Sequence, residues 1–144
     1  MLTTDEIKAE LRKARQAQTD YRLARDKADA LRQDLMGGKT VRYNSDGGTH
    51  ENKENPIENA YCLLADYEAE TDERFCEMVR VRKKTESMIM TVPDPVQREI
   101  LTRRYIIGQK WEDIAESLHY SRRRITQLHG IALKNISLNF PISL

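Results

Sequence analysis

From Thr4 to Met36 the chain runs without a glycine or a proline, and its apolar residues Ile7, Leu11, Ala14, Ala17, Tyr21, Ala24, Ala28, Leu31 and Leu35 recur at helical spacing. From Ala14 onward the steps alternate between three and four, which lines these residues up on one stripe of an α-helix as in a coiled-coil seam; a strand would scatter them over both faces. Alanine dominates the stripe and favours close approach of a partner helix. Thr3 and Glu6 have capping-box spacing, and Asp5 adds a negative charge where the helix dipole welcomes one, so the helix is predicted to start near Thr4.

A second long run has the same character. Asn55 supplies a cap, Pro56 a first-turn proline and Glu58 a return carboxylate. The stripe is then Ile57, Ala60, Leu64, Tyr67, Thr71, Phe75, Met78, Val81, Thr85, Met88 and Val92. At roughly 33 and 36 residues the two helices would each be about 50 Å long. They can fold back as an antiparallel hairpin or pair their seams between chains, with Tyr21, Tyr67 and Phe75 as the bulky layers in either case. Gly37 and Gly38 end the first run, and residues 37–55 have no helical period, which reads as a flexible connector; a short hairpin at Asp46-Gly47 is the alternative reading of that stretch.

Charged residues make up 33% of the chain and aromatic ones 6%, a balance that suits long helices with narrow apolar stripes better than a large compact core. The net charge of +1 conceals an asymmetry: residues 95–144 carry eight Lys/Arg against four Asp/Glu, whereas residues 37–94 carry eight against twelve. No apolar run is long enough to span a membrane, and no apolar core follows a basic N-terminus, so a cytoplasmic protein is expected. Cys62 and Cys76 lie fourteen residues apart on one predicted helix, about 21 Å, too far to bridge within the chain and consistent with a reducing compartment. His50, His119 and His129 with these cysteines give no zinc-ligand spacing, and no phosphate-binding glycine loop or nucleophile motif occurs. Neither a metal, a cofactor nor an enzymatic activity is expected.

Pro93-Asp94-Pro95 ends the second helix, and Asp94 with Gln97 is expected to cap a third, Pro95 to Ile107, which offers Val96, Ile100, Leu101, Tyr105 and Ile106 to a core closed at Gly108 and filled by Trp111. The stretch Trp111 to Gly130, WEDIAESLHYSRRRITQLHG, then reads as a helix, a tight turn and a second helix. Glu112 and Asp113 suit the first turn of the former, and Ile114, Ala115 and Leu118 give it one apolar face. Ser121 can cap the latter, which carries Ile125, Leu128 and Ala132 inward. Arg122, Arg123, Thr126 and Gln127 then point outward, with His129 also at the surface. Between His119 and Lys134 there are four basic side chains and no acidic one, as expected of a surface that faces phosphates. The arrangement is that of a DNA-binding helix-turn-helix, whose second helix enters the major groove.

The run RRYIIGQKWEDIAESLHYSRRRITQLHGIALKNI resembles region 4 of bacterial sigma factors, and more closely the small prophage regulators of the ArpU and RinA type and related prophage proteins with a long helical N-terminal part. The resemblance covers Gln97 to Ile136. It implies a phage or prophage transcriptional regulator, of late genes, without enzymatic activity. Carried over, Ala115 takes the small position where the two helices cross, and Ile125 and Leu128 take the packing positions of the recognition helix. The chain departs from the pattern twice: His119 stands where such motifs place glycine, and Lys110 where they place Ser or Thr.

The expectation is therefore an all-α protein: a helical hairpin over 1–92 that self-associates, a helix-turn-helix domain over 93–136, and an apolar tail over 137–144 whose Phe140, Ile142 and Leu144 can pack back or meet a partner. Ser121, Arg122, Arg123, Arg124, Thr126 and Gln127 are the candidate DNA contacts, with Lys110 and Arg104 on the phosphates and His119 as a turn residue or a further contact. The expected partners are double-stranded DNA and a second or further copy of the chain, with RNA polymerase as an additional one. Two other readings use the same residues. A phage small terminase subunit also joins such a motif to a helical oligomerisation part, and a protein-interaction module would turn the arginines toward an acidic surface on RNA polymerase.

Overall fold

The computed structural model describes residues 2–37 and 55–140, and every regular element in them is helical. Helix α1 spans Thr4–Met36 and α2 spans Pro56–Met90. Both begin where their caps place them. The Thr3 N–H donates to Glu6 Oε2 at 2.7 Å while the Glu6 N–H donates to Thr3 Oγ1 at 3.3 Å, and this pairing holds the Glu6 carboxyl below its usual range. Asn55 Oδ1 accepts from the Ile57 N–H at 3.1 Å. The connector and any hairpin at Asp46-Gly47 lie outside the described residues, as do Ile142 and Leu144.

Contacts gather the chain into two compact units, residues 1–19 with 77–144, and residues 20–76. This grouping differs from a division at 92/93, and the reason is the core of the first unit. Ile7 and Leu11 of α1 and Met88, Ile89 and Val92 of α2 share one buried cluster with Leu101, Tyr105, Ala132, Leu133 and Ile136. The C-terminal helices are therefore closed by the ends of the two long helices. Helix α3 (Pro95–Leu101) is capped by Asp94, whose carboxylate accepts from the Val96 N–H at 2.9 Å. Gln97 does not complete a capping box. It is buried, and its side-chain oxygen accepts from Asn135 Nδ2 at 3.0 Å, a partner 38 residues away that a local reading could not supply. The chain continues from α3 through a wider π-type stretch, Thr102–Ile107, closed by Gly108 at φ 88°. Helix α4 (Trp111–Leu118) and α5 (Arg122–Asn139) complete the unit. Helix α5 runs past Ile136 into the expected tail. Ser137 Oγ donates to the Leu2 carbonyl at 2.5 Å, Asn139 Nδ2 donates to the Thr91 carbonyl at 3.2 Å, and Phe140 packs on the core.

In the second unit the later half of α1 lies antiparallel to the earlier half of α2. Tyr21 meets Phe75 with ring centroids 5.4 Å apart, Lys27 pairs with Glu70 at 2.8 Å, and Arg32 pairs with Glu68 at 2.9 Å. Ala24 and Ala28 are buried in the seam. The expected aromatic layers are shallower than a core: Phe75 is exposed and Tyr67 half-buried, because a pair of helices cannot enclose such rings from both sides. Cys62 and Cys76 are exposed thiols.

Candidate nucleic-acid interface

Helices α4 and α5 are joined by residues 119–121. His119 adopts the left-handed conformation at φ 58°, uncommon for a side chain other than glycine, with histidine among the tolerated types. The turn is held by a paired set of bonds: the His119 N–H reaches the Glu116 carbonyl at 3.3 Å and the Tyr120 N–H reaches the Ala115 carbonyl at 3.0 Å. This is the Schellman pattern, which satisfies two carbonyls that the end of α4 would leave free. Ser121 opens α5 by accepting from the Arg124 N–H at 3.1 Å. Lys110 occupies the cap position of α4 with no side-chain bond to that helix end.

Ile114 and Ala115 of α4 pack with Ile125 and Leu128 of α5 and with Ile100 of α3. That packing fixes which side of α5 faces out. Arg123, Gln127 and Lys134, with Gly130 between the last two, follow one another at steps of four, three and four on the side opposite the buried stripe, and all three side chains are exposed. A Cβ built on Gly130 would meet nothing within 4 Å, so this face of the helix is open. Arg124 and Thr126 flank it, both exposed; the Thr126 hydroxyl donates to the Arg122 carbonyl at 3.0 Å and keeps its oxygen as an acceptor. Helix α5 has no acidic residue along its 18 residues. Arg122 is set apart from the other two arginines, paired with Glu112 of α4 at 2.8 Å. Gly130 extends the face beyond the residues singled out in the sequence and joins Lys134 to it; its spacing from Arg123 is the signal that could have found it.

Two expectations are corrected. His129 is buried, 7% exposed, because it lies four residues after Ile125 and three before Ala132, on the inward stripe. Its Nε2 lies 2.7 Å from the Tyr105 hydroxyl, and the Trp111 ring meets its ring edge-on at 4.8 Å. Burial, and then the nearby charges of Lys8, Arg104 and Arg12, lower its pKa to about 4. Burial also raises the Tyr105 pKa. Trp111 does not fill the centre of the unit. It is half-buried at the edge of the cluster, with the Arg104 guanidinium 4.5 Å above its ring. Arg104 itself is half-buried and donates to the Gln109 carbonyl at 3.1 Å, so it is positioned by its own chain before it can meet any partner.

No family model, curated protein or solved structure matches this chain. The residues themselves carry the functional argument. Among the described residues no cluster of His, Cys, Asp or Glu could hold a metal ion, and no helix is long and apolar enough to cross a membrane.

Proposed function

We propose that the protein is a sequence-specific DNA-binding regulator of phage or prophage transcription, of late genes, and that α4, the turn and α5 form its helix-turn-helix. One observation carries the reading: a Ser-capped helix without acidic residues presents Arg123, Arg124, Thr126 and Gln127 from its first two turns, on the side that packing leaves open. Arginine can donate in bidentate fashion to guanine, glutamine can donate to N7 and accept from the N6 amino group of adenine, and the Thr126 hydroxyl, its hydrogen given to the Arg122 carbonyl, can accept from a base amino group, which is the chemistry of major-groove reading. Lys110 at the start of α4 stands where the first helix of such motifs crosses the phosphates.

The test is to ask which fragments of the genome encoding it the protein retains at physiological salt, and to repeat this with Arg123→Ala/Arg124→Ala. One short promoter-proximal sequence is expected, with affinity reduced in the variant by roughly 1–3 kcal/mol for each arginine that reads a base. Retention of a packaging-region fragment would point instead to a terminase subunit. Absence of any salt-sensitive complex would turn the arginines toward a protein partner such as RNA polymerase and end the DNA reading.

Self-association belongs to the same proposal. A single recognition helix reads too few bases to find its site against genomic competition, and two copies would set two such helices at half-site spacing. The unit formed by residues 20–76 leaves Leu23 62% and Tyr61 58% exposed, apolar surface suited to a second copy. Sedimentation equilibrium is expected to return at least twice the chain mass of 16.8 kDa; a single-chain mass at tens of micromolar would remove this part.

A further inference from the structure

The first helix carries cations that the reading above does not use. Lys8, Arg12 and Arg15 recur at steps of four and three on α1, and with Arg104 and Trp111 they line one concavity of about 80 Å³, space for two or three waters at about 30 Å³ each. Arg15 crosses the turn that leads into α4, where a Cβ on Gly108 would stand 3.9 Å from its Nε. Among the described residues no carboxylate lines the concavity. Among the described residues Lys8, Arg12 and Arg15 form no ion pair, so their charges are available to a ligand. Glu112, the carboxylate whose charge is felt at Arg104, is bonded to Arg122 at 2.8 Å. Arg104, pinned by the Gln109 carbonyl and stacked on Trp111, still has four of the five guanidinium N–H groups for an acceptor.

We infer that this concavity is an oxyanion site for a backbone phosphate of duplex DNA, so that α1 extends the phosphate contacts made beside α4. The inference rests on the DNA-binding reading of α4 and α5. Four cations from two segments around one small hollow, without an anion of their own, repel one another in the free protein, and a phosphodiester relieves that repulsion. The pKa of Arg104 is lowered by burial and then by Arg15, as expected of a cation awaiting its counter-charge. The site bears on the DNA backbone alone and so adds affinity and orientation without sequence preference.

Trp111, the one tryptophan in the sequence, reports on the site directly. The full chain is titrated with duplex DNA over a series of salt concentrations, following both Trp111 emission and DNA anisotropy, for wild type, Arg12→Gln/Arg15→Gln and Arg12→Lys/Arg15→Lys. The glutamine variant is expected to keep its sequence preference while affinity falls roughly fivefold at physiological salt and the log–log salt dependence becomes shallower by about one, the loss of one phosphate contact. The lysine variant is expected to retain the wild-type slope. DNA binding that depends on Arg123 but is unchanged in affinity and slope by Arg12→Gln/Arg15→Gln would overturn the inference and leave the regulator reading intact. Equal losses in the glutamine and lysine variants would also overturn it, since charge would then not be the cause. Titration with inorganic phosphate separates the remaining source of the same chemistry: saturation of the Trp111 response at micromolar phosphate, with no response to DNA, would make this a site for a small free anion. Failure of every variant and of wild type to bind any duplex would instead overturn the DNA reading and this inference with it.

Discussion

A chain cut to residues 93–144 is expected to be unfolded, with weak helical circular dichroism and no cooperative thermal transition. The cut falls at the proline boundary where a helix-turn-helix domain would be trimmed on sequence grounds. It removes Ile7, Leu11, Met88, Ile89 and Val92, half of the ten residues in the principal core cluster. Burying one such side chain contributes about 1.5–3 kcal/mol, so the loss is on the order of 10 kcal/mol, comparable to the whole stability of a typical domain. A chain in which residues 20–76 are replaced by a short Gly/Ser linker is expected to melt cooperatively, because residues 1–19 and 77–144 form one compact unit. The ends to be joined lie beside the Tyr21–Phe75 contact, whose centroids are 5.4 Å apart, within reach of a flexible linker of about six residues. Cooperative folding of the 93–144 fragment would show that the long helices are dispensable to the C-terminal core, contrary to the packing.

Helix ends and seams were legible in the sequence wherever the determinant was local. The Thr3/Glu6 box and the Asn55, Asp94 and Ser121 caps involve residues within a few positions of each other, and each forms where the spacing puts it; the stripe of α1 is buried or half-buried throughout, whereas that of α2 leaves Ile57 and Phe75 exposed. What escaped was set by partners distant in sequence. Gln97 looks like the return half of a capping box until Asn135 arrives across the fold. Ile89 lies off the regular stripe of α2 but is buried because α1 and the C-terminal helices enclose that end of α2 from several directions. The cations of α1 read as solvated charge along a seam, since nothing in the first helix says that Arg104 and Trp111 will stand beside them. His129, expected at the surface, falls on the inward stripe between Ile125 and Ala132, where the Tyr105 hydroxyl satisfies its Nε2.

His129 should also make the protein acid-sensitive in a window where few other groups titrate. Its folded pKa of about 4 lies below the ordinary 6.5, so as the pH falls through 6.5 the unfolded chain takes up a proton that the folded chain refuses. Unfolding is then favoured progressively until the folded imidazole protonates near pH 4, and the stability contributed by the neutral ring is present in full only above pH 6.5. The shift corresponds to about 3 kcal/mol at one pKa unit per 1.36 kcal/mol. The charges around the ring, Lys8, Arg12 and Arg104, all oppose its protonation, and among the described residues Tyr105 is the one side chain hydrogen-bonded to it. The carboxylates Glu6 and Glu10 have pKa values lowered from 4.5, so their contributions are lost only at lower pH and leave the interval from 6.5 to about 4.5 to the histidine. Urea midpoints measured from pH 7.5 to 4.5 are therefore expected to fall in wild type and to stay nearly level in His129→Gln, which keeps a hydrogen-bonding side chain beside Tyr105 but cannot charge. Parallel curves for the two proteins would mean that the ring is protonated without cost in the folded state, and that the pocket formed by Tyr105 and Trp111 admits water.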